Sequence, residues 1–204
     1  MWGGGPGVLA VEAVKLLKTA GTPAVPPYIL DIGCGYGRDT FYVADTIACR
    51  VLGIDVSEKA IEMAKSAAAE AKRTNVEFRC AGFTGIGKKE FDIVFVSNLY
   101  QILHREERAG LRQAVMSALK PGGMMFLCTL STKDPEHYGK GEPVPGDTNS
   151  YKDAVYLHFC TGEELLGDFG FLTVDKLYEH EYHEPRAAGA PHHHVSWILM
   201  GRLA

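Results

Sequence analysis

The sequence predicts an α/β protein: a doubly wound sheet, mostly parallel, that closes with an antiparallel pair of strands. Three observations carry that prediction. From residue 28 to residue 130, apolar runs of strand length alternate with segments of helical spacing, and such alternation folds as a parallel sheet covered on both faces. A glycine-rich turn, Asp-Ile-Gly-Cys-Gly-Tyr-Gly (31–37), joins the first of these strands to the helix after it. The last two strand-like runs are separated only by a turn, so they pair antiparallel. A chain of 204 residues buries one sizeable core, and residues 1–204 are expected to form a single domain.

The elements follow in order. Val8 to Lys18 has helical spacing, and Thr-Pro-Ala-Val-Pro-Pro (22–27) breaks it, because successive prolines remove backbone donors. Residues 1–27 are thus an N-terminal segment and helix. Residues 28–32 form a short buried strand, and Thr40 to Ala48 continues as a helix with Phe41, Ala44 and Ile47 aligned. Residues 50–55 are the second strand; Ser57 is placed to cap a helix whose inner stripe is Ile61, Ala64, Ala68 and Ala71. Strands follow at 76–80 and 91–96, then an amphipathic helix from Glu106 to Leu119. Lys-Pro-Gly-Gly (120–123) is expected to turn into a fifth strand at 124–130. Residues 132–156, rich in Pro, Gly, Asp and Lys, are expected to be a mobile loop that acts as a lid. Thr-Gly-Glu-Glu (161–164) is a capping-box pattern for a short helix that Gly170 ends. Two final strands, near 171–182 and 194–201, are joined by a turn through 185–191.

Composition excludes several classes of function. Apolar residues make up 46% and charged residues 23%, with a formal net charge of −4 and no run of Lys or Arg. A non-specific grip on nucleic acid is therefore not expected. The five cysteines (Cys34, Cys49, Cys80, Cys128, Cys160) are an odd, widely spaced set, which suits a reducing cytoplasmic setting. No apolar run approaches the ~20 residues that span a bilayer, and the Met-Trp-Gly-Gly-Gly start has no signal-peptide pattern. A soluble cytoplasmic protein with no membrane partner is expected, as a monomer or homodimer.

The glycine-rich turn narrows the ligand. Gly33, Gly35 and Gly37 allow a sharp bend and close approach to a ligand, and the following helix offers unpaired N–H donors. A dinucleotide fingerprint would need its third glycine at position 38, which holds Arg38. Asp55 ends the second strand, where an acidic side chain meets ribose hydroxyls.

With Gly-Ile-Asp-Val-Ser (53–57), Phe-Asp-Ile-Val-Phe-Val-Ser (91–97), Leu-Lys-Pro-Gly-Gly (119–123) and the closing hairpin, the chain resembles the class I S-adenosylmethionine (SAM)-dependent methyltransferases along nearly its whole length. The resemblance implies a Rossmann-like seven-stranded sheet with the last strand antiparallel, and SAM as cofactor. It implies that Asp31, Gly33, Cys34, Gly35 and Gly37 line the methionine part of SAM. Asp55, with Val56 beside it, would meet the ribose, and Ser97 would form the floor near the sulfonium. Family members commonly bind adenine through an Asp after the third strand. Gly82 stands there instead, which leaves backbone groups and Phe83 for that task. The Trp-Gly-Gly-Gly-Pro-Gly start, Gly-Tyr-Gly-Arg-Asp-Thr (35–40) and the His-rich end are similar to small methyltransferases grouped with the tellurite-resistance enzymes; that likeness implies a Trp2 segment folded over the cofactor.

SAM brings its own activated methyl group, so the protein mainly aligns an acceptor and, for an oxygen or nitrogen acceptor, takes up a proton. Catechol-type enzymes keep a metal-binding Asp where this chain has Ser97, so that metal-dependent mechanism is not expected. Candidate acceptor-side residues are Trp2, Asn98, Tyr100, His104, His180 and His194, with Tyr100, His158 and His180 as catalytic candidates. No metal is expected; the alternative gathers His180, His183, His192 and His194, although adjacent strand residues face opposite sides. The expected function is methylation of a small molecule. The alternatives are a protein or RNA methyltransferase, and a SAM-sensing or metal-handling protein without turnover.

Overall fold

A computed structural model describes residues 5–19, 25–184 and 191–204. Trp2, part of the 22–27 linker and most of the 185–191 turn lie outside the described residues. In chain order the elements are α1 (Val8–Thr19), β1 (Tyr28–Ile32), α2 (Arg38–Thr46), β2 (Arg50–Asp55), α3 (Glu58–Glu70), β3 (Val76–Cys80) and β4 (Phe91–Ser97). A short 3₁₀ turn (Tyr100–Ile102) leads into α4 (Arg105–Ala118) and β5 (Leu119–Leu130). β6 (Glu142–Pro143), β7 (Ser150–Lys152), β8 (Tyr156–His158), α5 (Gly162–Asp168), β9 (Leu172–Glu184) and β10 (His192–Leu203) complete the chain.

The main sheet has seven strands in the order β3-β2-β1-β4-β5-β10-β9. β1 to β5 pair in parallel, while β10 runs antiparallel between β5 and β9. This is a Rossmann-like, doubly wound fold with an antiparallel strand inserted near one edge. Strand alternation divides the core. Leu30, Ile32, Val94, Val96, Met125 and Leu127 pack with Leu111, Val115 of α4 and Leu165 of α5. Their neighbours Ile29, Ile93, Phe95, Met124 and Phe126 pack with Leu9, Ala13 of α1 and Val43 of α2. Each such fully buried side chain contributes ~1.5–3 kcal/mol. Ser57 caps α3 by accepting from the Ala60 N–H at 3.3 Å, and Thr161 caps α5 by accepting from that of Glu164 at 3.1 Å.

Two expectations are corrected. Lys-Pro-Gly-Gly does not precede β5 as a separate turn: the ladder already starts at Leu119, and a register shift beside β4, with Gly122 at φ 76°, absorbs the glycines as an irregularity within the strand. Residues 132–156 are not a structureless loop either. They contain β6, β7 and part of β8, which form a separate three-stranded sheet. Arg108 of α4 ties that sheet down. It is 4% exposed and donates to Asp147 at 2.6 Å and to the Tyr156 hydroxyl at 2.7 Å. The Tyr156 hydroxyl in turn donates to Asp147 at 2.7 Å.

Strand order reverses between β1 and β4, and open α/β sheets bind ligands outside the carboxyl ends of the strands at such a switch point.

Candidate cofactor and acceptor site

At that switch point β1 runs into the glycine-rich turn. Gly33, Gly35 and Gly37 have φ of 77°, 55° and 85°, a region that penalises other residues by about 1–2 kcal/mol each. The N–H groups of Gly33 and Cys34 both donate to the Ile54 carbonyl, at 2.8 and 3.0 Å. Asp55 secures the turn from the other side: its carboxylate accepts from Gly35 N–H at 2.9 Å and Ser57 N–H at 2.8 Å. At Gly37 a Cβ would sit 2.9 Å from Phe41 and Phe78, so packing demands glycine there. At Gly35 it would meet no described atom within 4 Å, so that face of the turn opens onto space.

Asp31, at the end of β1, is buried and accepts a 2.5 Å hydrogen bond from Thr40. Burial lifts its pKa to about 7; Asp39 and Asp55 push the same way and the Thr40 bond opposes them. Burial, with Asp31 and Asp55, also pushes the Cys34 thiol up, which keeps it protonated and unreactive.

A cavity of about 700 Å³ opens from this turn, within the usual range for small-molecule sites. On one side it is lined by Asp31, Gly33 to Tyr36, Arg38 and Asp39, and its floor includes Ser97, Asn98 and Gln101. Asn98 takes a left-handed φ of 55° at the end of β4, and its N–H donates to Cys128 at 3.0 Å. On the far side the cavity is walled by His137, Tyr151, Leu157, Phe159, Tyr182, His192 and His194.

The structure thus brings together Asp31, Gly33, Cys34, Gly35, Ser97, Asn98 and His194 on one cavity. Gly37 and Asp55 shape the turn and are not among the residues that line the cavity. Val56 and Gly82 are exposed neighbours past β2 and β3. Phe83 packs against the core and beside Gly110 of α4.

Other candidates lie elsewhere. Tyr100 is fully buried under the sheet, with its hydroxyl bonded to Asp168 and Arg112. The core wins it because burying the ring removes a large apolar area from water while both hydroxyl partners are satisfied. His158 is buried between Ser150 at 2.9 Å and Glu164 at 2.7 Å and does not line the cavity. His104 precedes α4 on the surface with its ring 4.1 Å from that of Tyr156. His180 stacks on Tyr182 at 5.8 Å and reaches the cavity only through it. His183 pairs with His193 on the opposite face of the hairpin from His194, so His180, His183, His192 and His194 do not converge on one point. Among the described residues a different trio, His158, Cys160 and Glu164, clusters closely.

Several lining residues had no signal in the sequence. His137, Tyr151 and Phe159 come from a region without periodicity, as does Asp134, which lies off the cavity surface and bonds to His194. Arg38 and Asp39 directly follow the glycine motif, which was the available clue.

The chain matches known proteins at these same elements. Residues 29–123 match the family described as "Methyltransferase domain". A ubiquinone biosynthesis O-methyltransferase from Leptothrix cholodnii is 32% identical over 106 residues, 50% of this chain and 44% of that protein. The chain spans less than half the length of the curated relatives it matches first. A SAM-dependent methyltransferase from Methanosarcina mazei superposes with a TM-score of 0.73 at 19% identity, over 91% of this chain and 96% of that one. The 1,6-didemethyltoxoflavin-N1-methyltransferase of Burkholderia thailandensis, solved with its named compound and S-adenosylhomocysteine (SAH), superposes with a TM-score of 0.69 at 19% identity, over 97% of this chain and 79% of that one. Residues 29–123 thus resemble a methyltransferase domain, and the fold that carries them is shared with SAM-dependent methyltransferase structures.

Proposed function

We propose that the chain transfers the methyl group of SAM to a small-molecule acceptor. The observation that carries this is a cavity that joins the glycine-rich turn to an aromatic and imidazole wall. The residues fit the cofactor: Gly35 leaves open space where a ligand approaches the backbone, and the buried Asp31 carboxyl suits a cationic group. Asp31, Gly33, Cys34 and Gly35 hold its methionine part, Asp55 and Val56 border the ribose, Gly82 and Phe83 flank the adenine, and Ser97 underlies the sulfonium. When bound, SAM supplies a methyl group already activated for transfer. The protein aligns the acceptor with that group and keeps water out, and Asn98 and the 151–159 wall serve this purpose.

The small size of the acceptor is supported by the cavity volume and by relatives named for ubiquinone biosynthesis and for a heptyl-hydroxyquinolinone. The net charge of −4 and the absence of a basic run speak against a nucleic-acid substrate. No helix among the described residues is long and apolar enough to cross a membrane. The five cysteines are unpaired, which suits work in the reducing cytoplasm, as a monomer or homodimer.

Calorimetry with SAH and transfer of labelled methyl to a panel of phenols, amines and thiols test this. Gly35→Ala should fold at a cost of about 1–2 kcal/mol yet lose SAH affinity by about tenfold or more. Unchanged SAH affinity in that variant, or no SAH binding by the wild type, refutes the proposal.

A further inference from the structure

His194 of the cavity wall is paired with a buried acid, Asp134. Asp134 lies in the turn after β5, 1% exposed. Its Oδ2 bonds to His194 Nδ1 at 3.0 Å and accepts from the Val195 N–H at 3.0 Å, while Oδ1 accepts from the His137 N–H at 2.8 Å. Burial works against charge on this carboxyl, but the donation from His194 and from the two backbone N–H groups holds it below the ordinary carboxylate range. An ionised carboxylate only accepts hydrogen bonds. His194 Nδ1 must therefore carry the hydrogen, and in the neutral ring Nε2 holds the lone pair.

The ring is fixed as well as oriented. His194 is 7% exposed and lines the cavity. The His137 ring stacks on it at 5.4 Å, Tyr182 packs at 5.3 Å and His192 at 5.8 Å. Burial first, then the neighbouring His194, lowers the His137 pKa. His137 thus stays neutral near pH 7 and does not oppose a positive charge on His194.

We propose that His194, positioned by Asp134, is the general base of methyl transfer, and that the acceptor is an aromatic hydroxyl compound whose proton it removes. The proposal rests on the methyltransferase function proposed above. The acceptor O–H bond breaks and its proton goes to Nε2 of His194. The acceptor oxygen forms a bond to the methyl carbon of SAM as the S–CH₃ bond breaks, and its electrons return to sulfur, which leaves neutral SAH. The imidazolium is stabilised by the Asp134 carboxylate and then gives its proton to water. Tyr151, Phe159 and Tyr182 offer flat apolar faces for the acceptor ring. A thiol near its own pKa would need no such base.

The test has two arms. In the first, phenol, catechol and nitrophenol are assayed with labelled SAM, and SAH affinity is measured beside them by calorimetry. His194→Gln should slow transfer to phenol and catechol by at least about tenfold. It should slow transfer to nitrophenol, already largely ionised, far less, and leave SAH affinity within about twofold. An equal loss for all three acceptors, no loss at all, or a wild type that binds SAH and methylates only thiols or amines overturns the proposal. The second arm needs no acceptor: nitrogen-15 spectra of the histidine rings report the tautomer. His194 should be the Nδ1–H form in the wild type and shift towards Nε2–H in Asp134→Asn, where the amide can donate to Nδ1. An Nε2–H form in the wild type overturns the dyad. A wild type that does not bind SAH defeats the methyltransferase function instead, and the dyad is then decided by the spectra.

Discussion

At the scale of single residues, Asp31 is the most consequential group in the site. Its carboxyl ends β1 where the chain must turn, and burial lifts its pKa from 3.8 to about 7. Between those values the folded chain keeps a proton that the unfolded chain has released. Stability from this group is therefore full below about pH 4 and is lost as pH rises towards about 7, by an amount on the order of a few kcal/mol. Denaturant midpoints of the ligand-free protein should fall over that window, and Asp31→Asn should flatten the fall. A cationic ligand beside Asp31 favours the ionised form, so SAM binding at about pH 6 should release a fraction of a proton. Binding enthalpies in buffers of different ionisation heat measure this directly. A wild type with no buffer dependence, or a variant with the wild-type slope, contradicts the assignment of Asp31 to the cofactor's cationic end.

At the scale of elements, the small sheet of β6, β7 and β8 forms a cavity wall because α4 and α5 hold it. Arg108 reaches it from α4, and His158 on β8 contacts Glu164 of α5 at 2.7 Å. Removing one partner of a buried ion pair costs about 3–5 kcal/mol, since the other charge is left uncompensated. Arg108→Ala should therefore lower Tm, and amide exchange should accelerate more in residues 150–158 than in β1. Uniform acceleration across the chain would show that the pair does not serve this sheet in particular. These elements also mark the limit of what the sequence reveals. Strands β1, β2, β4 and β5 were readable because burial on both faces leaves continuous apolar runs, the edge strand β3 because its residues alternate, and the glycine motif is contiguous. Strands of two or three residues, such as β6 and β7, have no period to detect. Their register is set by Asp147 and Tyr156 meeting an arginine roughly forty to fifty positions away in the chain. A longer separation, 60 positions for Asp134, hid Asp134 and His137, which meet His194 only once the hairpin has folded against them. Tyr100 misled because aromatic residues near a strand end serve a core as readily as a pocket.

At the scale of the whole molecule, the two ends of the chain divide the cavity between them. The glycine-rich turn and the end of β4 belong to the parallel half, which carries the methyltransferase match at 29–123. Residues 137–159 and the β9–β10 hairpin belong to the C-terminal part and supply the facing wall. The antiparallel insertion of β10 makes this possible. It sets His194 beside Tyr182 in register and turns both towards the carboxyl ends of the parallel strands. Cofactor and acceptor should then be sensed by different parts of the chain. SAH at about a hundred times its Kd adds ~2.7 kcal/mol to stability, which for a protein of this size raises Tm by roughly 5–11 °C. Hydrogen exchange should slow with SAH alone in residues 31–38 and 97–102, the side of the cavity proposed for the cofactor. Residues 151–159 and 192–196 should slow only when an acceptor is added. Protection that spreads equally to both walls with SAH alone would mean that the cofactor orders the acceptor side too, and the division of the cavity would fail.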